Sequence, residues 1–219
     1  MREQFIADLE SINSTLVEMA GLVKSSLESA TTALLTADRS LAEKVISDDL
    51  IIDEIQHQLD AKTINLMAQQ APVATDLRTL VTSLRISADL ERMGDLTEHI
   101  AKVTRMRHPA TAVPPELALT IEEMGRVCVK IIEKTSVVLK NKDTERALEV
   151  EQDDNEIDNL HRKIIQTLLD PSWQHGIETA IDMTLLGRYY ERCADHAVSI
   201  ARRVYYSVTG SYAARSESL

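Results

Sequence analysis

Glu91-Arg92-Met93-Gly94-Asp95 returns 100 residues later as Glu191-Arg192-Cys193-Ala194-Asp195, and this recurrence decides the fold. Residues four apart on a helix share one face, one turn above the other. Each copy therefore aims two carboxylates at one spot. Further landmarks repeat at an offset of 105: Met19-Ala20-Gly21 with Met124-Gly125, Asp38 with Asp143, and Ala42 with Ala147. The pattern Asp48-Asp49-x-x-x-Asp53 also recurs at that offset, as Asp153-Asp154-x-x-x-Asp158. The offset changes only at the turn, where Gln69 to Asp76 is replaced by a shorter stretch around Pro171 and Gly176. A constant offset broken at one turn is the mark of a tandem duplication with a loop deletion.

Five prolines divide the 219 residues, and proline belongs at helix starts and turns rather than in helix interiors. Reading between them predicts helices over roughly 3–36, 39–70, 73–106, 115–141, 143–169 and 176–208. Gly (6) is sparse, aromatics make up only 3%, and good helix formers dominate. The expected fold is all-α, with six helices in two tandem, similar three-helix bundles packed side by side. The first bundle would span residues 1–108, a linker 109–115, and the second bundle 116–208. Small polar residues around Ala213 to Leu219 predict a disordered tail over 209–219.

The formal net charge is −11. That argues against nucleic acid, which needs a basic face, and suits cations or a basic partner surface. Cys128 and Cys193 form no CxxC and fall in helical patterns, so buried free thiols in a reducing compartment are expected. The start of the chain lacks the long apolar stretch of a secretory leader. No run approaches the ~20 apolar residues of a membrane span. A cytoplasmic protein is expected, reaching the inner face of a membrane only peripherally, through partners.

Two helices that each present a carboxylate pair can surround a hard or borderline cation with oxygen ligands. Asp49 and Asp53 flank the apolar stripe of the second helix (Ile52, Ile55, Leu59), as Asp154 and Asp158 flank Ile157, Leu160 and Ile164 in the fifth. In the third helix, Glu91 and Asp95 continue a face that carries Leu77, Leu80, Val81, Leu84 and Ala88. In the sixth, the stripe Leu186, Cys193, Ala197, Ile200 and Val204 lies opposite Glu191 and Asp195, which predicts an exposed polar face there. The competing arrangement is a salt-bridge lattice, with Arg85, Arg92, Arg188 and Arg192 neutralising the same carboxylates.

Gln70-Ala71-Pro72-Val73-Ala74-Thr75-Asp76-Leu77-Arg78, followed by Leu90-Glu91-Arg92-Met93-Gly94-Asp95, closely resembles the signature of the PhoU family of phosphate-uptake regulators. Glu191-Arg192-Cys193-Ala194-Asp195-His196-Ala197 is similar to the second-repeat motif of that family. The resemblance covers about residues 3–208. It implies two three-helix bundles and metal binding at Asp49, Asp53, Glu91 and Asp95, and again at Asp154, Asp158, Glu191 and Asp195. The ions expected at these motifs are Mg, Mn, Fe or Zn. It also implies a homodimer that negatively regulates phosphate signalling, linking a phosphate ABC transporter to a sensor histidine kinase. Two departures stand out. Cys193-Ala194 replaces the family's common Ile-Gly, and His99 stands where asparagine is common, making it a possible additional ligand.

No P-loop, nucleophile elbow or Gly-rich nucleotide loop is present. A non-catalytic adaptor is therefore expected, docking its acidic faces on the transporter's ATPase subunit or on the kinase. The alternative is a carboxylate-bridged metal enzyme or a metal-storage bundle. A di-iron bundle needs two Glu-x-x-His pairs, and this chain offers one, Glu54 with His57.

Overall fold

The computed structural model describes residues 2–212. Those residues form α1 (Arg2–Thr36), α2 (Arg39–Gln70), α3 (Ala74–Arg107), α4 (Pro115–Asn141), α5 (Thr144–Leu168) and α6 (Gly176–Thr209). No strand occurs among the described residues. The all-α expectation holds, and the helix limits fall within two residues of those read from proline and periodicity.

The duplication extends to the helix ends. Asp38 caps α2 by accepting from the Leu41 amide at 3.0 Å, and Asp143 caps α5 by accepting from the Glu145 and Arg146 amides. Each cap satisfies amides that the helix itself leaves open. The residue before each cap, Ala37 or Lys142, adopts the left-handed conformation, with φ of 53° and 52°. Pro115 opens α4 at the first helical position, where its missing N–H costs nothing. Of the segment expected to be disordered, residues 213–219 lie outside the described residues. Thr209 is helical, Gly210 ends α6 at φ 79°, and Tyr212 stacks on Tyr206 at 4.4 Å.

Four helices make the centre: α1 packs on α3 and α4, and α6 packs on the same two. The outer helices cover one half each, α2 over α1 and α3, α5 over α4 and α6. The halves meet through matching helices running in opposite senses. Along α3 and α6, Asp89 meets His196 (3.1 Å) and Arg203 (2.7 Å), while Arg107 meets Asp182 (2.5 Å) near the other end. Between α1 and α4, Lys24 meets Glu133 at 2.6 Å.

One apolar core runs through both halves, built from Met, Leu, Ile, Val and Ala, as the scarcity of aromatics requires. Tyr190 is the largest fully buried side chain, and its hydroxyl is 2.8 Å from Thr31 across the interface of the halves. Cys128 and Cys193 are buried and free; the Cys128 thiol donates to the Tyr190 carbonyl. Burial pushes the Cys193 thiol up to about 12, so neither a thiolate nor ready oxidation is favoured there.

Gly125 lets α4 approach α1. A Cβ at Gly125 would lie 2.6 Å from Thr31 Cγ2 and 2.9 Å from its Oγ1. Thr31 is buried and bonded to Tyr190, so it cannot swing aside cheaply. Gly125→Ala is expected to cost about 1–3 kcal/mol in urea unfolding, the usual range for overpacking. In a Thr31→Ala background the same change is expected to cost less than about 1 kcal/mol, because the obstructing atoms are gone.

Candidate functional site

The outer helix of each half carries its aspartates against the third helix of the same half. In the first half, α2 presses Asp49 onto α3. Asp49 is only 6% exposed, and its Oδ1 has no hydrogen-bond partner. The atom occupies the space left by Gly94, where a Cβ would come within 2.6 Å of it. Burial first, then Asp53, Glu98, Asp95 and Glu91, push the Asp49 carboxyl from the ordinary 3.8 up to about 7. Glu91 also rises, through burial and then Asp95, with Arg92 and His57 opposing.

The second half repeats this arrangement. Asp154 Oδ1 is buried without a partner. Burial, followed by Asp195, Asp158 and Glu191, raises the Asp154 carboxyl to about 7, with Arg202 pulling the other way. Asp195 rises through burial and Glu191, although its side chain is exposed in part. His161 joins this cluster: its Nδ1 is 3.1 Å from Glu191 Oε2, and its Nε2 is buried without a partner. Gly187 makes room for that ring.

The structure therefore brings together Asp49, Asp53, Glu91 and Asp95 at one interface, and Asp154, Asp158, Glu191 and Asp195 at the other. The exposed polar face expected for Glu191 and Asp195 holds for Asp195, which is exposed, and is overturned for Glu191. Its side chain is 18% exposed, less than the 26% of Glu91. The reason is α5: α6 is packed by α3, α4 and α5, so the side opposite its main apolar stripe is covered too. Conversely, Leu77 and Val81, read as part of a buried stripe with Glu91, are exposed. Glu91 and Asp95 owe their partial burial to α2. His99 faces elsewhere. Its Nδ1 donates to the Asp95 carbonyl at 2.6 Å, and its ring meets Tyr189 of α6 edge-on at 5.4 Å.

Sequence reasoning missed two members. Glu98 lies seven residues after Glu91, two turns on along the same face, and helps raise Asp49. His161 follows Asp154 by the same spacing. Both were visible to a search extended by one turn. The Glu54–His57 pair does not form a third site, since Glu54 accepts from Gln58 at 2.6 Å on the exposed side of α2.

The salt-bridge lattice is realised only at the rim. Arg92 pairs with Asp95 at 2.5 Å and Arg188 pairs with Glu191. Among the described residues, no Lys, Arg or His makes an ion pair with Asp49, Asp53, Asp154 or Asp158. Nor are any three His, Cys, Asp or Glu side chains among the described residues already converged as a metal cage. The clusters are acidic pockets whose side chains must turn inward to share an ion. A cation nevertheless fits the donors: they are oxygens in the first cluster and oxygens with the His161 imidazole in the second, an aspartate oxygen in each is buried with no partner, and Gly94 clears space beside Asp49.

Two three-helix units, each closing an outer helix over an acidic pocket, define a duplicated helical protein with paired carboxylate clusters. The PhoU domain model matches residues 16–104 and again 121–204, and the chain belongs to that family. The phosphate-specific transport system accessory protein PhoU homolog 2 of Mycobacterium tuberculosis is 43% identical over 97% of this chain and 100% of its own. PhoU homolog 1 of Mycobacterium leprae is 42% identical over 97% of this chain and 96% of its own. The fold matches the crystal structure of PhoU from Pseudomonas aeruginosa with a TM-score of 0.86 and 27% identity, covering 94% of this chain and 100% of that one. PhoU from Streptococcus pneumoniae, a phosphate transport system regulatory protein, gives 0.85 and 25% over 96% and 100%.

The raised aspartate carries a sign. In the folded chain Asp49 keeps its proton up to about pH 7, whereas in the unfolded chain it loses the proton near 3.8. Stability therefore falls as pH rises between those values and levels off above them. Asp49→Asn removes the effect. In chelator-treated protein the stability gain of Asp49→Asn in urea unfolding is expected to be near zero at pH 4 and to reach about 2–4 kcal/mol by pH 8.

Proposed function

We propose that this protein is an accessory regulator of phosphate transport that acts without catalysis. It would hold phosphate-starvation signalling down by joining a phosphate ABC transporter, through the ATPase subunit, to a sensor histidine kinase. It works in this reading as a homodimer on the cytoplasmic side. None of the described helices is long and apolar enough to cross a membrane, so contact with a transporter would be peripheral. Near-full-length similarity to proteins named as phosphate transport accessory proteins supports the regulatory part.

The observation that carries the reading from family to device is the repeated, unpaired, buried aspartate, Asp49 and Asp154. A metal ion such as Mg, Mn or Fe at each cluster would supply the positive charge that these groups lack. Asp49, Asp53, Glu91, Asp95 and Glu98 would hold the first ion. Asp154, Asp158, Glu191 and Asp195 would hold the second, with His161 favouring Mn, Fe or Zn there. Each ion would clamp an outer helix to the centre and reduce the negative charge of the face offered to a partner.

Deleting the gene in an organism without a second copy is expected to switch on phosphate-starvation genes in phosphate-rich medium. The wild-type chain should restore repression. A chain with Asp49→Ala, Glu91→Ala, Asp154→Ala and Glu191→Ala should fail to do so at equal abundance. Repression that persists in the deletion strain contradicts the regulatory reading. Full rescue by the fourfold variant contradicts the role of the clusters.

A further inference from the structure

The repeated motif has a second side. Glu91 and Glu191 turn toward α2 and α5, but Arg92 and Arg192, the matching arginines of the two copies, both line a groove between α3 and α6. This groove is a cavity of about 470 Å³ on the surface where the two halves meet. Arg188, His99, His196 and Tyr189 line it as well. Asp95 is the one carboxylate in the lining, and Arg92 already engages it at 2.5 Å. Arg92 is offset by Asp95 and Glu91, and Arg188 by Glu191, so Arg192 is the uncompensated positive charge of the groove.

The arginines are not equally committed. Arg188 pairs with Glu191, at the edge of the second cluster. Arg192 is exposed and has no ion-pair or hydrogen-bond partner among the described residues. His99 and His196 each use Nδ1 on the protein, toward the Asp95 carbonyl and the Asp89 carboxylate, which leaves Nε2 unengaged in both. Planar guanidinium forks and a tyrosine hydroxyl are donors suited to phosphate oxygens. The volume lies within the range of small-ligand sites and exceeds what one phosphate fills. Arginines from two helices, facing one another, suit an anion with more than one phosphate group.

We propose that the groove between α3 and α6 binds a small soluble anion carrying two or three linked phosphates, held by Arg92, Arg188 and Arg192. The groove shares Asp95, and Arg188 with its partner Glu191, with the rims of the carboxylate clusters, so its test is made on metal-free protein. It needs both halves of the chain, because each copy of the motif contributes one of the facing arginines. A single three-helix unit would not form it.

Calorimetric titration of the full chain with tripolyphosphate tests this, after chelator treatment, at pH 7.5 and moderate salt. One tripolyphosphate should bind per chain, at least tenfold more tightly than inorganic phosphate. Arg192→Ala should weaken binding at least tenfold, and Arg192→Lys should weaken it less. Arg85→Ala, an exposed arginine of α3 outside the groove, should leave it unchanged. Arg192 is at the surface, and an unchanged helical circular dichroism signal confirms that its variants fold. Absence of saturable binding overturns the proposal, as does equal weakening by Arg85→Ala and Arg192→Ala. Binding to phosphatidylglycerol vesicles without binding to tripolyphosphate overturns it in favour of a lipid headgroup.

Discussion

Asp49 is pressed by α2 against the bare backbone of Gly94, one of its oxygens unpaired and four other carboxylates around it, and Asp154 of α5 likewise has a buried, unpaired oxygen with three other carboxylates around it. Burying an unpaired carboxylate costs several kcal/mol. The chain accepts that cost twice, at matching positions of a duplication. Its continuous aliphatic core, running through α1, α3, α4 and α6, supplies the stability that makes this tolerable. The outer helices are the elements most exposed to the cost, since each rests on the centre partly through its acidic face. The interface between an outer helix and the centre is thus conditional. It is tighter when the aspartate is protonated and looser when the charges stand alone, and a shared cation would tighten it.

The two copies have diverged in ways that bear on this. The first cluster has Glu98 on α3, held by Lys102; the matching positions in α6 are Val198 and Arg202. In the second half, Arg202 instead pairs with Glu151 of α5. Gly94 becomes Ala194, and Gln56 becomes His161. The first site is a purely oxygen-lined pocket. The second combines oxygen with an imidazole, and the Arg202 guanidinium is near enough to oppose the rise of Asp154. Were both clusters to take up ions, they would differ in ion preference while sharing one architecture.

Much of the fold was legible because its signals are local. Asp38 and Asp143 mark helix starts, the prolines mark breaks, and the 105 and 100 offsets mark the duplication. The aspartate pairs were legible for the same reason, since spacing of four on a helix is a local rule. What escaped was set by neighbours distant in sequence. A helical wheel treats α6 as having one buried side, but three helices pack on it, so Glu191 is covered while its apolar stripe is covered too. His99 reads as a ligand beside Asp95, yet its ring points across the α3–α6 seam to Tyr189. The groove lined by Arg92 and Arg192 was not readable from either motif alone, because it exists only where the two copies face each other.

The central claim is that each acidic pocket is completed by a cation. Crystals of the chain soaked with Mn²⁺, with anomalous data collected at a wavelength where manganese scatters strongly, test it most directly. The account requires an anomalous peak between Asp49 and Glu91 and another between Asp154 and Glu191, both lost in the Asp49→Asn/Asp154→Asn variant. A map with no peak at either pocket, from protein shown to be folded and saturated with Mn²⁺ in solution, would contradict it.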